Sequence, residues 1–217
     1  MKIPKNWTFK SDEVAKGFDG HVRQTLPWYD MATGAVAHIA KHYIGERGTV
    51  YDIGASTGNI GKAIADVISD RDASLYAIEP SSQMQDLYSG GGTFVCESGE
   101  DFDYKEFDLA ICFLTIMFMP VSKRDEFIKR LRSKCKKGGA IIVFDKAIPS
   151  GGYFSTILYR LTLLGKLQQG IKPDQIIEKE FSLSGIQRPI DPSILGPDAQ
   201  LWFKYGDFCG WVIEADT

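Results

Sequence analysis

Cysteine is scarce in this 217-residue chain: Cys96, Cys112, Cys135 and Cys209 form no CxxC pair and stand at no zinc-ligand spacing from the three histidines. That excludes the common structural zinc sites, and no metal is expected. Long apolar runs are lacking too. No stretch approaches the roughly 18 residues of a membrane span, and Met1 to Lys10 has lysines but no signal-type apolar core, so a cytoplasmic protein with reduced thiols is expected. Net charge is small, −3 with a pI near 5.7, so nucleic acid finds no support in overall charge. Repeats, low-complexity tracts and an interdomain linker are absent as well. With 44% hydrophobic and 12% aromatic residues, the chain suits one domain over 1–217.

What is present is an alternation of short apolar strands and amphipathic helices. Val36 to Ile44 has helical spacing and ends at Gly45 to Gly48. Val50 to Ile53 reads as a buried strand, Gly54 to Gly58 as a loop and Ile60 to Ile68 as a helix. The rhythm continues with strands at Ser74–Ile78, Thr93–Cys96, Asp108–Leu114 and Ala140–Phe144. Helices at Ser82–Tyr88 and Lys123–Cys135 separate them, the second closed by Gly138 and Gly139. Beyond Asp145 the pattern changes. Tyr153 to Gln169 is long and mostly apolar, and Ile186 to Ala199 is rich in Pro and Gly. Leu201–Tyr205, Gly206-Asp207 and Phe208–Glu214 read as a closing hairpin. Residues 1–45 form an expected helical lid and residues 146–199 a cap.

The strongest chemical signal is Tyr51-Asp52-Ile53-Gly54-Ala55-Ser56-Thr57-Gly58, set between a strand and a helix. Glycine permits tight turns and close backbone approach, and the following helix start offers free N–H groups. Glu79 ends the next strand, where a carboxylate can accept both hydroxyls of a ribose. An acid at that point also suits NAD. However, Gly54-x-x-x-Gly58 lacks the GxGxxG phosphate signature, and Asp52 before the first glycine can meet the amine of a methionine moiety. These features favour S-adenosylmethionine. No Gly-Lys-Ser/Thr follows the loop, which excludes a P-loop.

With these residues the chain resembles class I S-adenosylmethionine-dependent methyltransferases, and among them the bacterial carboxy-S-adenosylmethionine synthases that serve tRNA wobble-uridine modification. The more specific stretches are Asp12 to Asp19, Thr25-Leu26-Pro27-Trp28-Tyr29, and Leu201-Trp202-Phe203 with Phe208. Also similar are Phe118-Met119-Pro120 with Ser122-Lys123-Arg124, and Gly138-Gly139-Ala140 leading to Asp145-Lys146. The resemblance implies a Rossmann-like α/β fold, with a mostly parallel seven-stranded sheet, a C-terminal antiparallel hairpin and a helical cap. It implies cofactor contacts from Tyr29, Asp52, Gly54, Ala55, Ser56, Gly58, Glu79, Pro80, Ser81, Gly99, Glu100 and Phe113, with Asp101 an alternative to Glu100.

The departures fall where the reaction is decided. The family is expected to grip the extra carboxylate of its product with an arginine before the Leu-Trp-Phe strand. Here Asp191 to Gln200 has no basic residue, and Arg188 is the nearest substitute, with Arg160 of the cap a second. The asparagine expected in the fourth strand is replaced by Phe113. A plain methyltransferase acting on a small molecule or nucleobase fits these losses. The alternatives are a carboxy-S-adenosylmethionine synthase-like enzyme, taking its carboxyl group from a keto acid such as prephenate, and a non-catalytic binder of the nucleoside.

Neither the Asn/Asp-Pro-Pro-Tyr/Phe motif of amino-group DNA methylation nor the Pro-Cys nucleophile of cytosine-C5 enzymes occurs. Candidate catalytic residues are Tyr29, His21 and Arg188. Trp28, Phe118, Tyr153 and Tyr159 can wall a planar substrate or belong to the core. The basic run from Lys123 to Lys137 suits phosphate tracking or, more simply, a solvated helix face. Homodimer formation is left open.

Overall fold

The computed structural model describes residues 3–149 and 151–215. Its elements, in order, are α1 (Asp12–Thr25), α2 (Tyr29–Ala40), β1 (Thr49–Ile53), α3 (Asn59–Ala63), α4 (Ala65–Asp70), β2 (Ser74–Ile78), α5 (Ser82–Gln85), β3 (Thr93–Val95) and β4 (Phe107–Phe113). A 3-10 turn (Ile116–Phe118) leads to α6 (Val121–Lys134), β5 (Cys135–Lys146), α7 (Tyr153–Gln168) and α8 (Pro173–Ser182). A second 3-10 turn (Pro192–Leu195) precedes β6 (Gln200–Tyr205) and β7 (Phe208–Glu214).

The seven strands form one sheet in the order β3-β2-β1-β4-β5-β7-β6. The first five are parallel, while β7 runs antiparallel to β5 and β6 antiparallel to β7. This is the Rossmann-like methyltransferase fold. The strands at its centre are apolar because helices cover both faces: six of the seven residues of β4, Phe-Asp-Leu-Ala-Ile-Cys-Phe, are buried. One face packs Tyr51, Ile53, Tyr104, Phe107 and Phe127; the other packs Val36, Val50, Leu109, Ile111, Ile142 and Phe144. Each such side chain stabilises the fold by about 1.5–3 kcal/mol relative to exposure.

Several boundaries differ from the sequence expectation. The first expected helix begins seven residues earlier, at Tyr29, because Trp28 and Tyr29 are themselves core residues. The helix expected over Ile60 to Ile68 breaks at Ile64, whose ψ of 5° interrupts the α conformation. Cys135 to Lys146 is one twelve-residue strand. Gly138, with φ +77°, sits in it where the pairing with β4 slips from Phe107↔Cys135 to Leu109↔Ala140. The Pro- and Gly-rich stretch is preceded by a helix, α8, which Pro173 opens at its first position.

Strand order reverses between β1 and β4. The carboxyl ends of these two strands therefore diverge into a crevice, the place where open α/β sheets bind ligands.

Candidate active site

The loop after β1 bends sharply into α3 through three left-handed residues: Gly54 (φ +76°), Ser56 (φ +51°) and Gly58 (φ +92°). Such backbone is uncommon for a side chain such as Ser56, and it marks a loop held by its surroundings. A Cβ on Gly54 would run into the Thr115 side chain, and one on Gly58 into the backbone of Gly90. Both glycines are thus required by close packing.

The crevice opens into a cavity of about 220 Å³. Tyr29, Asp52, Gly54, Ala55, Ser56, Glu79, Pro80, Gly99, Glu100 and Phe113, all expected site residues, line it. Gly58 does not; it backs onto Gly90. Ser81 is buried beside the cavity, its hydroxyl donating to the Phe9 carbonyl at 2.6 Å and so tying down the N-terminal segment. Sequence reading missed Phe9, Phe18, Thr57, Asn59, Ile60, Ser98, Leu114, Thr115 and Met119 in the same lining.

Two carboxyls dominate the electrostatics. Glu79, 6% exposed, accepts the Ser56 and Ser81 N–H groups, each at 2.9 Å; burial raises its pKa and these two bonds oppose the rise. Asp52, 1% exposed, is pushed up to about 7, first by burial and then by Glu79, against a hydrogen bond from the Gly61 N–H. Its Oδ2 has no hydrogen-bond partner among the described residues. A buried acceptor left open in a cavity fits the ammonium of an amino acid moiety. Glu79 retains lone pairs for ribose hydroxyls, and Ser98, Gly99 and Glu100 border the third-strand side where an adenine would lie. The residues present therefore fit S-adenosylmethionine.

Aromatic rings close the end of the cavity. Phe113 stacks on Phe144 at 4.9 Å and meets Tyr29 edge-on at 5.5 Å. Burial holds the Tyr29 phenol protonated, far above its ordinary value. Arg23 lies over the Tyr29 ring and donates to Asn59 Oδ1 at 2.8 Å, while Asn59 donates to Thr33 at 2.9 Å. These bonds lace α1 and α2 to α3.

A second cavity, of about 190 Å³, adjoins the first and shares Phe9, Phe18, Leu114 and Phe118 with it. Its walls are Trp7, Val22, Leu26, Ile176, Leu183 and Phe208, yet Lys146, Lys166 and Lys179 also line it. Lys166 pairs with Glu180 at 2.8 Å, whereas Lys146 reaches only the Gln187 side-chain oxygen at 3.4 Å. Lys179 lies against the Trp7 ring. Burial first, then the Lys166 charge, bring Lys179 down to about 6, with Glu180 opposing. The indole face also favours the cation, but by only about 0.5–2 kcal/mol, too little to restore an ordinary lysine pKa. Glu180 sits below the usual range: burial is the largest influence and works to raise it, but the charge and hydrogen bond of Lys166, with Lys146 and Lys179, together outweigh burial.

His21 lines this second cavity, 5.8 Å from Trp7 ring to ring. Burial and then Lys179 lower it to about 4, so it is a neutral imidazole near pH 7. Arg188 is a correction. Its side chain is exposed and lines neither cavity, because its backbone is held instead: its N–H donates to the Met117 carbonyl and its carbonyl accepts from Arg124. Arg160 is likewise exposed and lines neither cavity. Asp101 points outward to Lys123 at 2.6 Å. Tyr153 and Tyr159 are exposed, Trp28 packs in the core against Phe208 at 4.6 Å, and Phe118 is the shared wall. The basic run on α6 is largely engaged: Arg124 is buried on four carbonyls, and Lys123, Lys129 and Arg132 pair with acids.

Among the described residues no cluster suits a metal ion, and no helix is long and apolar enough to cross a membrane.

A sequence profile described as "Methyltransferase domain" matches residues 50–139. A carboxy-S-adenosyl-L-methionine synthase of Staphylococcus epidermidis is 29% identical over 96% of this chain and 97% of that protein. Another from Shewanella frigidimarina is 24% identical over 83% and 79%. Among solved structures, a putative O-methyltransferase of Nostoc punctiforme superposes with a TM-score of 0.61 at 16% identity, over 93% of this chain. The chain spans only 59% of that protein's length and 58% of human N-acetylserotonin methyltransferase, solved with S-adenosylmethionine (TM-score 0.60, 14% identity). A putative S-adenosylmethionine-dependent methyltransferase of Methanococcus maripaludis matches end to end, over 100% of this chain and 98% of that one, with a TM-score of 0.57 at 17% identity. With its switch-point cavity and open Asp52 acceptor, the chain is an S-adenosylmethionine-dependent transferase whose residues 50–139 match a methyltransferase domain, and it is similar over nearly its whole length to a carboxy-S-adenosyl-L-methionine synthase.

Proposed function

We propose that the chain transfers a carboxyl group from a small keto acid to the methyl carbon of S-adenosylmethionine, as the name of its relatives describes. The observation that carries this reading is the second cavity: largely apolar, sharing a wall with the cofactor cleft, and lined by three lysines against one glutamate. Lysines in so apolar a wall suit a small carboxylate better than a neutral nucleobase. Bound S-adenosylmethionine supplies a sulfonium, which makes its methyl carbon electrophilic and its methyl C–H acidic. In the net exchange the donor's carbon–carboxyl bond and one methyl C–H bond break, a C–C bond forms at the methyl carbon and a C–H bond forms at the donor carbon, so no oxidant is needed.

In this reading Asp52 and Glu79 hold the cofactor, and Tyr29 and Phe113 keep water from the reacting end. Lys146 and Lys166 orient the acid in place of the arginine expected from the resemblance. Residues 1–217 act as one domain, residues 1–45 as its lid and 146–199 as its cap, working in the cytoplasm. A second reading, methyl transfer to a small acceptor, is favoured by Phe113, an apolar side chain where a polar one is expected.

Mass spectrometry after incubation with S-adenosylmethionine and keto acids separates the two. A nucleoside heavier than S-adenosylmethionine by one carboxyl group supports the proposal. S-adenosylhomocysteine with a methylated acceptor overturns it in favour of methyl transfer.

A further inference from the structure

Lys179 has surroundings that a phosphate- or carboxylate-gripping lysine does not need. It projects from α8 into the second cavity among Trp7, Ile176 and Leu183, half-buried, with the Trp7 ring against its ammonium position. Among the described residues no carboxylate lies within ion-pair distance of it. The nearest acid, Glu180, is already committed to Lys166 at 2.8 Å. His21 faces it as a neutral imidazole, and Lys166 and Lys146 add like charge from α7 and β5. An amine in an apolar pocket beside other cations is held in its neutral form, and the neutral form is the nucleophile.

We propose that Lys179 is a nucleophilic lysine that captures the carbonyl carbon of a small keto acid as an imine in the second cavity. This rests on the reading that the cavity holds a keto acid. The amine nitrogen donates its lone pair to the carbonyl carbon, and the carbonyl oxygen leaves as water with both amine protons' worth of hydrogen accounted for: two N–H bonds break, and the C=N bond replaces C=O. Lys146 and Lys166 are placed to hold the acid's carboxylate while the imine forms. The imine withdraws electrons from the adjacent carbons.

Borohydride trapping tests this on the full-length protein. With pyruvate as probe and cyanoborohydride at pH 7, a single carboxyethyl adduct is expected on the peptide containing Lys179. It should form roughly 100-fold faster than on exposed lysines, because the far larger unprotonated fraction of Lys179 is only partly offset by the weaker nucleophilicity of a low-pKa amine. The adduct should vanish in Lys179→Arg and persist in Lys62→Arg, an exposed lysine that lines neither cavity. Adducts spread evenly over surface lysines, or concentrated on Lys146 or Lys166, overturn the proposal. Quenching of tryptophan fluorescence by pyruvate reports occupancy separately. Saturable quenching without an adduct overturns the imine and leaves the keto acid reading standing; neither quenching nor adduct with any keto acid tried overturns both.

Discussion

Replacing Asp52 by Asn should stabilise the ligand-free protein at alkaline pH while weakening its hold on S-adenosylmethionine. The carboxyl is 1% exposed and titrates near 7 in the fold, against 3.8 for the free side chain. A carboxyl whose pKa is raised by folding binds its proton more tightly in the native state. Its contribution is therefore greatest below pH 3.8 and is lost as pH rises to about 7, levelling off above that. About three pH units at about 1.4 kcal/mol each give roughly 4 kcal/mol of alkaline destabilisation. The unpaired Asn amide offsets about 1 kcal/mol of the relief, leaving roughly 3 kcal/mol. For a chain of this size that corresponds to a melting temperature higher by about 6–12 °C at pH 8.5, with little change at pH 4. Cofactor affinity should move the other way. Losing a charge-assisted bond to the ammonium weakens binding by about tenfold or more at pH 8.5, and wild-type affinity should itself rise as pH passes 7 and Asp52 ionises. Thermal melts at both pH values and calorimetric titration with S-adenosylmethionine measure both effects. A melting temperature lowered at pH 8.5, or unchanged affinity, refutes the reasoning.

Gly54→Ala should cost about 1–2 kcal/mol for the left-handed backbone, plus about 1 kcal/mol for displacing Thr115 from its 2.8 Å bond to the Ile53 carbonyl. Urea denaturation measures it, and adding Thr115→Ala should recover the steric part. Arg188→Ala should leave kcat/KM within about twofold, since its side chain is exposed and lines neither cavity; a tenfold loss in a steady-state assay would return Arg188 to the site.

The cofactor half of the site is legible in the sequence because its determinants are local. Asp52 to Gly58 adjoin one another, and Glu79 follows one strand later in fixed register, Ile53 beside Ile78. Chain order alone places these groups together. The second cavity has no such signature. Lys146 ends β5, Lys166 lies on α7, Lys179 on α8 and Trp7 before α1, so only tertiary packing unites them. In sequence the α7 segment reads as long and mostly apolar, and nothing in it singles out Lys166. Arg188 misled for the converse reason: its position along the chain is suggestive, but the 3-10 turn after β4 claims its backbone and turns its side chain outward.

That turn also builds the wall that the two cavities share. Leu114 lines both and is left-handed at φ +59°, a conformation costly for a leucine. It persists because its neighbours leave the chain little choice. The Leu114 N–H donates to the Phe144 carbonyl at 2.7 Å, and Thr115 bonds back to Ile53. The buried Asp145 accepts the Met117 N–H at 3.2 Å. Arg124 donates to the carbonyls of Met117, Met119, Arg188 and Pro189. A guanidinium that looks, in sequence, like part of a surface basic run is thus the buried clamp of the wall carrying Leu114 and Phe118. Because a buried cation satisfied by four carbonyls cannot shift without leaving charge unpaired, the wall is rigid at its base. On the same wall Phe9 meets Phe118 edge-on at 5.0 Å and Phe18 edge-on at 5.6 Å, so three rings that line both cavities pack on one another.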